Sequence, residues 1–200
     1  MMSWWNGLSM LGSLPVTGPI GVAIAAWLLA GRSWRLSLSW CLLFGLGMLL
    51  VVATKIAWIG WGVGMPEMKF GGLSGHSMRA CAVFPVAFYL AFHNAEEGTR
   101  RLATVGGVVL ALLVSASRVP VLAHSWSEVV LGAVVGLAVS AAFISIAHSP
   151  RPLQFGRVLA GVVLPVLLVV PHAEPLPTER WMTRLALYLS GHEKPFERRW

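Results

Sequence analysis

Six stretches of the chain are apolar without the period-two alternation of a strand: about 10–30, 36–59, 77–92, 102–116, 126–147 and 152–170. Runs of this kind read as helices in a bilayer, where every backbone polar group must be bonded within its own segment. The third and fourth runs are shorter than the ~20 residues a full crossing takes. Their ends are therefore expected in protein-lined or hydrated surroundings. A β-barrel, whose strands alternate, is excluded. The pattern predicts an all-α fold: a polytopic transmembrane helix bundle of about six spans, forming a single integral membrane domain over 1–200.

Composition agrees. Residues of the AVILMFWYC set make up 56% of the chain and Gly another 21 residues, while charged residues reach only 12%. A soluble domain carries about 25% charged residues, so this chain has too little charge to coat a water-exposed globule. All eight acids are Glu, and twelve Arg with three Lys give a net charge of +7. Nucleic-acid binding would need those cations clustered on one face. Here they sit mostly between apolar runs, as topology signals and attractants for anionic lipid. The bilayer is the expected partner and nucleic acid is not. Cys41 and Cys81 fall inside apolar runs and read as small hydrophobes in helix packing.

Arg32 and Arg35, Arg100 and Arg101, and Arg151 and Arg157 mark three connections, whereas 60–75 and 117–125 carry only Lys69 and Arg118. The positive-inside rule puts the arginine pairs in the cytoplasm, and the N-terminus and the other two loops outside. The tail opposes the rule, because Arg180, Arg184, Lys194, Arg198 and Arg199 fall outside if the sixth run crosses. Either that run is re-entrant or the tail, 172–200, is interfacial; six spans is the reading adopted. Trp181, Leu185, Tyr188 and Leu189 recur at helical spacing beside Arg180 and Arg184, which suits an interfacial amphipathic C-terminal helix. Packing onto the bundle would use the same spacing. Gly132, Gly136 and Ser140 form a small-xxx-small stripe for helix packing. Gly60, Gly62 and Gly64 read as a turn.

Chemistry concentrates in three places. Lys55 lies near the end of the second run, where it either snorkels as an anchor or serves a site. Gly72-Leu73-Ser74-Gly75-His76-Ser77 opens the third run; flexible glycines before a helix start offer backbone N–H groups to an anion, and Ser74 also suits a plain N-cap. Ser117-Arg118 is followed by five residues, His124, three residues and Glu128. His124 and Glu128 are four apart and share a helical face, so the carboxylate can orient the imidazole for attack. Arg118 offers a planar fork suited to phosphate oxygens, or serves as a solvated loop cation. Spans three and four form a hairpin, which returns Lys55, His76, Arg118, His124 and Glu128 to one membrane face. Together they read as a phosphoryl-transfer site. His93, His148, His172 and His192 have no evident partners in the sequence.

These residues resemble the type 2 phosphatidic acid phosphatase family of membrane lipid phosphatases, which shares its signatures with the soluble vanadate-dependent haloperoxidases. The family's serine-arginine-x5-histidine-x3-aspartate matches Ser117, Arg118, His124 and Glu128, with Glu for Asp. Its proline-serine-glycine-histidine matches Ser74, Gly75 and His76, with Leu73 for the proline. Its lysine-x6-arginine-proline keeps only Lys55, since Gly62 and Val63 stand where arginine and proline would be. The resemblance covers about 55–136. It implies His124 as nucleophile forming a phosphohistidine, Glu128 orienting it, and His76 protonating the leaving oxygen. Lys55, Ser74, Gly75 (through its N–H) and Arg118 would hold the phosphate. It implies no metal and no other cofactor. Lys69 and Arg79 are the two candidates to stand in for the missing arginine.

The resulting expectation is a metal-independent phosphatase acting on a membrane lipid phosphate or pyrophosphate. It would be a multi-pass protein of a bacterial inner membrane with its site facing the periplasm. A lipid phosphotransferase would use the same residues. A rhomboid-like intramembrane serine protease built on Ser74 leaves Arg118 and Glu128 without a role. A non-catalytic scaffold or transporter lacks the mid-membrane polar groups or inverted repeat it would want. Nothing in the sequence sets the oligomeric state.

Overall fold

The structure, a computed structural model, describes residues 2–148 and 178–197. The expected sixth span and the first part of the tail lie outside the described residues. The described chain is helical: α1 (Met2–Met10), α2 (Leu14–Ala30), α3 (Trp34–Trp61), α4 (Gly75–Ala91), α5 (Glu97–Ala116), α6 (Trp126–Ala147) and α7 (Thr178–Ser190), with one 3-10 turn at Pro66–Met68. Among the described residues, four helical stretches are long and apolar enough to cross a membrane: Trp4–Ala30, Trp34–Trp61, Glu97–Ala116 and Trp126–Ala147. These are the expected first, second, fourth and fifth spans.

The boundaries have local causes. The first span is not one helix from its start: residues 11–13 turn, and Pro15 in the first turn of α2 restarts it, where a missing N–H costs nothing. α3 ends because Gly62 takes the left-handed conformation at φ 67°. Ser74 caps α4, and α6 begins with a capping box between Ser125 and Glu128. α5 starts earlier than its apolar run, at Glu97, so its 20 residues reach about 30 Å, a full hydrocarbon thickness.

α4 is the central helix. At 17 residues it spans only ~25 Å, and it meets protein almost everywhere: Met78, Ala80, Cys81, Ala82, Val83 and Val86 are fully buried. Small residues allow this enclosure. A methyl group on Gly136 of α6 would fall 2.3 Å from the Met78 carbonyl oxygen, and one on Gly107 of α5 would fall 2.8 Å from that of Phe84. The expected packing stripe is thus a backbone-to-backbone crossing of α4 and α6. α2 is tied to α3 by Trp40 Nε1–H donating to the Gly21 carbonyl at 2.9 Å. Outward, Leu38, Leu42, Leu46 and Leu49 of α3 and Leu102, Val105 and Val109 of α5 are exposed, a surface made for lipid rather than water.

Two smaller expectations are corrected. Cys81 is buried as expected, but Cys41 is exposed on the outer surface of α3. His192 does have a partner: its Nδ1 lies 2.8 Å from the Gly60 carbonyl, which pins the end of α7 to the end of α3. α7 packs along α3 through buried Ala186 and turns Trp181, Leu185, Tyr188 and Leu189 outward, so it both docks on the bundle and keeps an exposed apolar face.

Candidate active site

The connectivity brings the end of α3 and the start of α4 to the same end of the bundle as the end of α5 and the start of α6. There, the Glu128 side chain is fully buried and organises its surroundings. One carboxylate oxygen, Oε2, is 2.6 Å from His124 Nδ1 and accepts the Ser125 N–H at 3.4 Å; the other accepts the Gly71 N–H at 2.9 Å. An ionised carboxylate only accepts, so Nδ1 of His124 carries a proton, and when the ring is neutral its lone pair is on Nε2. The capping box that starts α6 thus also orients the histidine. The longer Glu arm, where the family pattern has Asp, reaches His124 and Gly71 together.

The Ser74–His76 turn packs directly on this pair. The Ser74 N–H donates to the Glu128 carbonyl at 3.1 Å, and a methyl on Gly132 would lie 2.6 Å from the Ser74 carbonyl oxygen. Ser74 is fully buried, and its hydroxyl accepts from the Ser77 N–H at 3.4 Å and the Ser77 hydroxyl at 3.0 Å. It is therefore an N-cap, with its own hydroxyl proton still available to donate. The approach loop is held against α3: the Leu73 N–H donates to Thr54 Oγ1 at 3.2 Å, and Gly72, at φ 118°, passes so close to the Lys55 backbone that a Cβ would lie 3.1 Å from its Cα.

Cations gather around His76, which precedes the apolar stretch 77–92. Burial first, then the charges of Arg118, Arg79, His124 and Lys55, hold its imidazole well below the ordinary value. Arg118 donates through Nη1 to Ser9 Oγ of α1, while its buried Nε has no hydrogen-bond partner among the described residues. Lys55 Nζ is 3.5 Å from the Glu179 carboxylate of α7. A cavity of about 230 Å³ lies beside that pair, lined in part by Lys55, Gly71, Ala123 and Glu179. Among the described residues, no group of three His, Cys, Asp or Glu side chains is arranged to hold a metal ion.

All seven residues singled out from the sequence therefore lie at one end of the bundle. Of the two replacements considered for the missing arginine, Lys69 is exposed and Arg79 is buried next to His76. Gly62, where the family pattern has that arginine, is a strained place for any side chain. The position is left-handed, and a Cβ there would fall 2.8 Å from the Phe196 ring. Sequence reasoning missed Ser9, Gly12 and Thr17, which bind the site's arginines from the α1–α2 corner, and Glu179 above Lys55. Small polar residues in an apolar run give no signal of their own. Glu179 follows the sixth run, whose path the pattern left open.

The family model of the PAP2 superfamily matches residues 60–152, a stretch holding Ser74, Gly75, His76, Arg118, His124 and Glu128 and beginning just after Lys55. The chain is also similar to an uncharacterized 22.5 kDa protein in the cps region of Klebsiella pneumoniae. The two are 34% identical over 200 residues, covering 97% of this chain and 95% of that protein. No solved structure matches the chain significantly.

Proposed function

The chain belongs to the PAP2 superfamily, and from that membership, which supports phosphatase activity, we propose that it hydrolyses a lipid phosphate or pyrophosphate through a phosphohistidine on His124. The observation that carries this reading is the buried His124–Glu128 pair, 2.6 Å apart and backed by the Gly71 N–H, among the cations around His76. Phosphoryl transfer asks for this: an oriented nucleophile and fixed positive charge, with little covalent chemistry from the protein.

In the first step His124 Nε2 forms a bond to phosphorus as the bond to the lipid oxygen breaks, and that oxygen takes a proton from His76. In the second, a water oxygen bonds to phosphorus, the P–N bond breaks, and the water proton returns to His76 as phosphate leaves. Lys55, Arg118, the Gly75 N–H and the Ser74 hydroxyl hold the phosphate oxygens. His76 is kept neutral in the empty site by burial and by its cationic neighbours. A bound phosphate supplies the opposite charge that lets it take up the proton it needs. No metal or other cofactor has a role in these steps.

Arg32 lies between α2 and α3, Arg35 in the first turn of α3, and Arg100 and Arg101 in the first turns of α5, all at the end of the bundle away from His124. Under the positive-inside rule this supports a site at the outer face of a bacterial inner membrane. The test is phosphate release by the detergent-purified chain, with a chelator present, from undecaprenyl pyrophosphate, phosphatidic acid, phosphatidylglycerol phosphate and a lipid A phosphate. Release that disappears in His124→Ala is expected. Equal release by that variant overturns the reading, and phosphate appearing on a second lipid would make the protein a phosphotransferase with the same site.

A further inference from the structure

Arg79 is a buried guanidinium inside the helix bundle, and no carboxylate among the described residues pairs with it. An ionisable group at such depth is costly and needs a reason. Its donors are divided. Nε donates to Thr17 Oγ1 at 3.2 Å, and Nη2 to the Gly12 carbonyl at 3.2 Å, with His76 Nδ1 at 3.5 Å from the same nitrogen. The α1–α2 corner thus clamps one side of the fork.

The other side, Nη1, makes no hydrogen bond to the described protein and lies beside Gly75, where a Cβ would be only 3.0 Å away. Gly75 and Arg79 are four apart on α4, so the unspent N–H groups and the first backbone N–H of the helix share a face. Arg118 is close enough to act electrostatically on the Arg79 guanidinium, and both act on His76. Positive charge packed this densely, with Glu128, the buried carboxylate among the described residues nearby, committed to His124, calls for an anion.

We propose that Arg79 is a phosphate-binding residue of this site, its Nη1 directed at the phosphate oxygens beside Gly75, while in the empty site its Nη2 lies 3.5 Å from His76 Nδ1. The proposal rests on the phosphatase reading above and assigns Arg79 to the role for which Gly62 has no side chain. Because a guanidinium only donates, His76 Nδ1 must accept in the empty site, which puts the ring proton on Nε2. Arg79 would therefore both bind and position.

The experiment compares the detergent-purified full chain with Arg79→Gln, Arg79→Lys and His124→Ala. Affinity for inorganic phosphate and for orthovanadate is read from the ligand-dependent rise in unfolding temperature, beside turnover on the best lipid. Arg79→Gln is expected to lose roughly 10- to 100-fold in affinity for both anions, as loss of a charge-assisted hydrogen bond implies. Arg79→Lys keeps the charge without the fork and should lose about 5- to 10-fold. If Arg79→Gln does not fold, the Lys variant decides. Wild-type affinity in whichever variant folds, while His124→Ala has lost turnover, overturns the Arg79 assignment and leaves the phosphatase reading standing. A wild-type chain that neither binds these anions nor releases phosphate overturns both.

Discussion

Lys55 and Glu179 meet across the mouth of the candidate site, ammonium to carboxylate at 3.5 Å, one from the last turns of α3 and the other from the first turn of α7. The lysine is largely covered and the glutamate 83% exposed, so the carboxylate approaches from the solvent side. A phosphate held by Lys55 as proposed would compete with it.

Glu179→Gln should therefore lower KM for the phosphate substrate by roughly 2- to 5-fold at low salt, with kcat little changed. That is the scale of one screened ion pair. The difference between variant and wild type should shrink as ionic strength rises. A KM unmoved at low salt would mean that Glu179 does not contest the site. Stability should barely change, because an exposed pair of this kind contributes little.

The reach of Glu128 yields a second expectation. Its carboxylate bonds His124, Gly71 and Ser125 at once, across the short link into α6. Glu128→Gln replaces an oxygen by a donor and should lower kcat by about 10²–10⁴-fold, the range that positioned acid–base chemistry supplies. Glu128→Asp restores the residue type of the family pattern but shortens the arm by one methylene. In this packing it should lose contact with either His124 or Gly71 and fall at least about 10-fold in kcat. Wild-type kcat in Glu128→Asp would show that the loop holding Gly71 adapts to the shorter arm.

Much of this arrangement was legible in the sequence because it follows from local rules. The apolar runs mark the spans, the Ser125–Glu128 box marks the start of α6, and the four-residue spacing puts His124 and Glu128 on one face. The shortness of the 77–92 run anticipates protein-lined or hydrated surroundings for its ends; the enclosure of nearly all of α4 goes beyond that. What escaped is tertiary. Thr17 and Gly12 look like any small residues in an apolar run until the α1–α2 corner folds over Arg79. Lys55 could be read as an anchor or as a ligand, because its partner Glu179 lies 124 positions along the chain.

The α4–α6 crossing gives a stability prediction with an internal control. Gly136→Ala adds a methyl whose nearest neighbours would be the Met78 carbonyl oxygen at 2.3 Å and Cys81 Cβ at 2.7 Å. The helices would have to part, at a cost of about 1–3 kcal/mol, and Ser74 would move relative to Glu128. Gly45→Ala, also in a helix but with nothing within 4 Å, should be neutral or stabilising. Thermal unfolding in detergent would separate the two. Equal midpoints would refute the close crossing.

The last prediction concerns protons. Burial and the charges of Arg118, Arg79, His124 and Lys55 keep the His76 titration well below its ordinary value in the empty site. A phosphate anion among those cations removes much of their effect, so the titration in the complex lies higher than in the free protein. By linkage, binding then draws in a proton wherever pH falls between the two values. Affinity should strengthen as pH drops through that window and level off below it. Phosphate carries its own titration, so the comparison that isolates the histidine is wild type against His76→Gln with the same ligand. Calorimetry of phosphate binding in buffers of different ionisation enthalpy would count the protons. The wild type should take up more than the variant, and equal uptake would remove His76 from the acid role.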